Sequence, residues 1–89
     1  AISDFKYSQQ MKGQSMNIDD MFWHKTNAEM YCYIKDNLDF DQLIWEFGDD
    51  SNPNWVHVSY VTDRPNRKEL IVALKKNGKT VYERREHKC

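Results

Sequence analysis

A single helix signature followed only by strand signatures constrains this chain more than any other feature. Thr26-Asn27-Ala28-Glu29 has the Ser/Thr-x-x-Glu form of a capping box, in which the Thr hydroxyl and the Glu carboxylate accept from each other's backbone N–H groups. Met30, Tyr33, Ile34 and Leu38 follow at helical spacing, so 27–38 predicts one amphipathic helix. Downstream, 40–47 is short and rich in strand formers, and 55–61 predicts a second strand. Between them, 48–54 holds Gly48 and Asn52-Pro53, which is turn chemistry. After a loop at 63–66 containing Pro65, residues 70–75 and 80–83 flank Asn77-Gly78, the dipeptide a type I′ hairpin turn prefers. Residues 1–22 are polar and mixed, with Gly13 as their one strong punctuation, and predict an irregular segment. The order predicts an α+β fold, one main amphipathic helix packed on a small, mostly antiparallel sheet.

Size sets the next limit. A chain of 89 residues makes one domain, 1–89, close to the length below which a hydrophobic core alone rarely holds a fold. Trp23, Trp45 and Trp55, with five Tyr and four Phe, supply large apolar areas for such a core. The net charge of −1 favours no class of partner, but its distribution is uneven. Residues 1–63 carry 4 basic and 11 acidic side chains; residues 64–89 carry 9 basic and 3 acidic. A basic end of this kind could touch nucleic acid, an anionic wall polymer or an acidic partner. The plainer account is a hairpin with charged faces and a polar tail at 84–89. Cys32 and Cys89 form neither a CxxC nor a zinc-knuckle spacing. A bridge between them is open, although the terminal place of Cys89 predicts a mobile end, and the compartment stays open with it. No apolar run approaches the roughly 20 residues of a membrane span. No signal-peptide pattern occurs, and the chain opens on Ala1 rather than Met, as a processed product would.

Among residues that could carry chemistry, His57 stands out. It lies mid-strand between Val56 and Val58, so its ring shares a face with Trp55 and Ser59. An imidazole fixed on a strand suits a metal ligand or a general base. A hairpin of 40–47 with 55–61 brings Glu46 near Val56 or His57, and a carboxylate beside an imidazole can orient it or activate a metal-bound water. His24 and His87 complete no His-x-x-x-His or His-Glu-x-x-His set. Asp49-Asp50-Ser51-Asn52 lacks the alternating ligands, central Gly and terminal Glu of a calcium loop, and predicts an acidic turn.

A family resemblance joins these residues. Ser8-Gln9-Gln10-Met11-Lys12-Gly13-Gln14-Ser15-Met16-Asn17 resembles the Ser-x-His-x-x-Gly-x-Ala-x-Asp signature of D-alanyl-D-alanine carboxypeptidase-like zinc peptidases. That group includes peptidoglycan-cutting phage endolysins. Phe40-Asp41-Gln42-Leu43-Ile44-Trp45-Glu46-Phe47 and Trp55-Val56-His57-Val58-Ser59-Tyr60 are similar to the second block of a bacterial and phage branch, and the likeness spans roughly residues 7–82. It implies a zinc-peptidase-like core without the family's N-terminal helices. It also implies a metal site built from the positions of Gln10, Asn17 and His57, with Ser15 in place of the small Ala. Gln10 and Asn17 stand where the family has His and Asp, so His57 alone keeps its ligand identity. Asn54 holds the position three residues before that His, where many members carry a catalytic Glu, which leaves Glu46 as the substitute base.

Catalytic zinc normally takes three protein ligands and keeps a fourth position for water. Gln and Asn put neutral amides where imidazole and carboxylate stood, and the charge that balances a divalent cation goes with them. Without metal there is no water of lowered pKa to act as nucleophile. The expectation is therefore a pseudoenzyme, a non-catalytic module binding a peptide, a cell-wall fragment or a protein, with Trp55 and Ser8 as binding residues and no cofactor. A weakly active zinc peptidase comes second, its site rebuilt with help from Asp19, Asp20, His24 or Cys32. A binder of nucleic acid or anionic polymer through the C-terminal hairpin comes third. Loss of the N-terminal helices would also expose an apolar patch through which two copies could pair.

Overall fold

The computed structural model describes residues 15–17 (as backbone), 26–87 and 89. Helix α1, Asn27–Asn37, starts where the capping box places it. Thr26 Oγ1 accepts from the Glu29 N–H at 3.1 Å, and the Thr26 N–H donates to Glu29 Oε1 at 3.3 Å. The helix ends as Leu38 turns extended, with its N–H still donating to the Ile34 carbonyl at 3.0 Å. Met30, Tyr31 and Ile34 are its buried residues. Spacing had pointed to Tyr33, but Tyr31 is the fully buried tyrosine, and Tyr33 packs at the margin of the core.

Five strands follow the order β1-β3-β2-β4-β5: β1 Ser15–Asn17, β2 Gln42–Glu46, β3 Trp55–Ser59, β4 Glu69–Lys76 and β5 Lys79–Arg84. The fold is α+β, as expected. One detail differs from the sequence reading. The segment expected to be irregular contributes β1, which pairs antiparallel with β3. The sheet also has one parallel pair, β2 with β4, beside three antiparallel ones. The parallel pair arises because 60–68 carries the chain around the start of β2 to its other edge. That crossover is clamped by Asp41, whose buried carboxylate takes both guanidinium forks. Arg64 contacts it at 2.7 and 3.0 Å, and Arg67 at 3.0 and 3.0 Å. The two arginines hold the Asp41 carboxyl far below the usual carboxylate range.

Strand alternation separates two faces. Leu43, Trp45, Val56, Val58 and Val72 are buried in one cluster with Met30, Tyr31, Ile34, Leu38 and Phe40. Gln42, Ile44, Glu46, Trp55, His57 and Ser59 occupy the alternate positions and form the other face. The β4–β5 turn has positive φ at both Asn77 and Gly78, as a type I′ turn requires.

The described C-terminal residues dock on the helix side of the sheet, where a mobile end had been expected at Cys89. Cys89 is disulfide-bonded to Cys32. Glu86 pairs with Lys35 at 2.9 Å, and the His87 ring stacks on Trp45 at 3.6 Å between centroids. Trp45 meets the Tyr31 ring edge-on at 5.1 Å, and Tyr31 Oη accepts from the His87 N–H at 3.4 Å. Burial raises the pKa of that phenol. The tail is thus a strap over the helix side of the sheet.

Candidate functional site

The site lies on the face away from α1, where β2 and β3 meet the loop that joins them. That loop turns at Phe47 and Gly48, both with positive φ. A Cβ on Gly48 would collide with the Asn52 carbonyl and the Pro53 backbone, so this position needs glycine. Asp49 Oδ1 organises the rest, accepting from the Ser51 N–H, the Ser51 hydroxyl and the Asn52 N–H at 2.8–3.0 Å. The expected acidic turn is therefore an Asx turn. The loop also docks on the helix start, where the Ala28 N–H donates to Asn52 Oδ1 at 2.8 Å and Asn27 Nδ2 to the Asn54 carbonyl at 2.8 Å.

The loop sets the strand register and brings Glu46 near His57. Glu46 pairs with Trp55, and His57 pairs with Ile44. Glu46, Trp55 and His57 still share one face, because paired residues and residues two apart point the same way. Trp55 and His57 both lie close enough to the Glu46 carboxylate to favour its charged form, but burial dominates and raises its pKa. Glu46 Oε2 is enclosed and takes no hydrogen bond. Trp55 keeps 38% of its surface exposed, the Phe47 ring meets it edge-on at 6.1 Å, and Lys75 Nζ lies 5.7 Å from the Phe47 ring centre. Sequence reasoning missed Phe47 and Lys75, since a positive φ at a strand end and a cross-strand cation leave no spacing signal.

The backbone of β1 sets Asn17 opposite His57 and Ser15 opposite Ser59. Two of the three positions that the peptidase resemblance assigns to metal are thus adjacent on neighbouring strands. Ser8 and Gln10 lie outside the described residues, as do Asp19, Asp20 and His24. Cys32 is excluded as a replacement ligand, because its sulfur is committed to the disulfide and it belongs to the helix side of the sheet. His87 is likewise stacked on the helix side. Among the described residues, no group of three or more His, Cys, Asp and Glu is placed to hold a metal ion. Their donor set, His57 and Glu46 beside an amide position, does not fit the three-ligand requirement of catalytic zinc.

No family model, curated protein or solved structure matches the chain. Among the described residues, no helix is long and apolar enough to cross a membrane. The basic hairpin has much of its charge engaged: Lys76 and Arg85 reach Glu83 at 3.2 and 3.3 Å, and Arg84 reaches Glu69 at 3.4 Å. The β2–β3 face offers a partly buried carboxylate, an imidazole and a partly open indole surface.

Proposed function

We propose that this chain is a non-catalytic binding module, derived from a D-alanyl-D-alanine carboxypeptidase-like zinc peptidase, that holds a short peptide of the cell-wall stem type on the β2–β3 face. The observation that carries the reading is the pairing of Asn17 with His57 on adjacent strands. Hydrogen-bonded or not, such a cross-strand pair separates Cα atoms by about 4.5–5.5 Å, the proximity two ligands of one metal need. An amide at one of these positions and Gln10 at the third make the set too weak for zinc. Without zinc, no water on this face has a lowered pKa. The neighbouring Trp55 surface and Glu46 carboxylate remain available to bind what the peptidase once cut.

Incubating the purified chain with equimolar zinc and a stem pentapeptide, followed by mass spectrometry, tests the reading. Intact peptide is expected, together with a shift of the Trp55 indole N–H resonance. Release of a terminal alanine that is lost in His57→Ala would overturn the non-catalytic assignment. The reading of the basic hairpin as a polyanion site ranks lower, because Lys76, Arg84 and Arg85 already meet Glu69 and Glu83.

A further inference from the structure

We infer that the C-terminal strap is a redox-released cover: cutting the Cys32–Cys89 bond frees it from a domain that stays folded, and uncovers the Trp45 and Tyr31 rings. This concerns the helix side of the sheet and stands apart from the proposed peptide-binding role. The first observation is where the strap lies relative to the core. The buried cluster and the apolar residues packed against it fall between Ala28 and Leu74, so Arg85, Glu86, His87 and Cys89 add no side chain to it. The hairpin before the strap carries its own ladder, from Lys76 opposite Lys79 to Ile71 opposite Arg84. Helix packing and strand pairing thus do not run through the strap.

The second observation is what the strap covers. The His87 ring lies on Trp45 at 3.6 Å, with 7° between their planes, and meets Tyr31 edge-on at 6.3 Å. Trp45 and Tyr31 are both buried. Each has a hold of its own: the Trp45 indole N–H donates to the Asp49 carbonyl at 3.2 Å, and Tyr31 belongs to α1. Release therefore uncovers a preformed aromatic surface. The third observation is the latch. Cys89 is exposed, and accessible disulfides are the labile ones. Beside it, the Glu86 carboxylate that pairs with Lys35 is largely open to water, and the bond from the His87 N–H to Tyr31 Oη is long at 3.4 Å. Exposed ion pairs contribute little, and ordering a backbone costs more than such contacts return. A dithiol reductant supplies the two electrons. Its first thiolate attacks the Cys89 sulfur, and Cys32 leaves as a thiolate that takes a proton. Its second thiol then displaces Cys89, giving two cysteine thiols and the oxidised, cyclic reductant.

The test uses the full chain, isotopically labelled, with indole and backbone N–H resonances followed by NMR as dithiothreitol is added. Reduction is expected to shift the Trp45 indole resonance and the His87 amide, while β2, β3, β4 and β5 keep the dispersion of a folded sheet. Oxidised glutathione is expected to reverse both shifts. Cys89→Ser is expected to show the reduced spectrum from the outset and to ignore dithiothreitol. A Trp45 resonance unmoved by reduction would overturn the inference, because the strap would then hold without its bond. Loss of strand dispersion on reduction would overturn it as well, since the bond would then hold the fold and not a cover. A Cys89→Ser chain that keeps the oxidised spectrum would contradict it in the same way.

Discussion

Asp41 and Glu46 are two carboxylates near opposite ends of one short strand, and their surroundings push them in opposite directions. Asp41 is buried between two guanidinium forks, which lower its pKa. Its stabilising contribution is complete above the ordinary carboxylate pKa near 4. It is lost as pH falls below that value toward the depressed folded-state pKa. Asp41→Ala is expected to cost about 2 kcal/mol in denaturant unfolding at neutral pH, because hydrogen bonds to charged groups are lost while the half-exposed arginines keep their water. The variant should also flatten the acid limb of the stability curve. Glu46 has the reverse sign, since burial raises its folded pKa. It opposes folding at neutral pH, and that penalty fades as pH falls through the raised folded pKa toward the unfolded one. Glu46→Gln should therefore raise the urea midpoint at pH 7 and leave it nearly unchanged at acid pH. The Asp41 clamp was not legible in the sequence: an Asp within an apolar run gives no hint that residues 23 and 26 positions later will reach it.

At the scale of elements, local chemistry was the legible part. The capping box, the Asn77-Gly78 turn and the order of helix and strands all stand where their residue types put them. Each depends on neighbours within a few positions, which a sequence displays directly. Thr26→Ala should cost about 1 kcal/mol by losing the cap. Gly48→Ala should cost about 2 kcal/mol or more, combining positive φ with a collision against Asn52 and Pro53. At Gly78 the φ is also positive but nothing crowds the added methyl, so Gly78→Ala should cost about 1 kcal/mol. Chemical denaturation of the three variants checks this ranking. Pairing between distant elements was less legible. β1 is three residues long, and the alternation of Met16 and Ile18 with polar neighbours is too short to announce a strand. The register of β2 on β3 depended on the length of a loop whose tightness is set by Gly48 and Asp49. Glu46 pairs directly with Trp55, one place from Val56 and two from His57, the neighbours expected for it.

For the whole molecule, a short chain is stabilised by closing its end onto its helix. The Cys32–Cys89 link spans 57 residues, and the chain-entropy account assigns roughly 4 kcal/mol to a closed loop of that size. Reduction, or Cys89→Ser, should therefore lower the denaturant midpoint sharply. Loosening of the strap should also change the emission of Trp45, which stacks on His87. Two cysteines in sequence left this link open, because spacing says nothing of whether a terminus docks. On the other side of the sheet, His57 was legible as a strand residue on a face with Trp55. That Cys32 and His87 lie on the opposite side of the sheet from it became legible only in the fold. The proposed role requires this face to bind a peptide without metal. Calorimetric titration of a stem pentapeptide into chelator-stripped protein tests it most directly. Saturable heat with one-to-one stoichiometry, unchanged by adding equimolar zinc, is the predicted result. No heat until zinc is supplied, followed by binding or turnover, would contradict it.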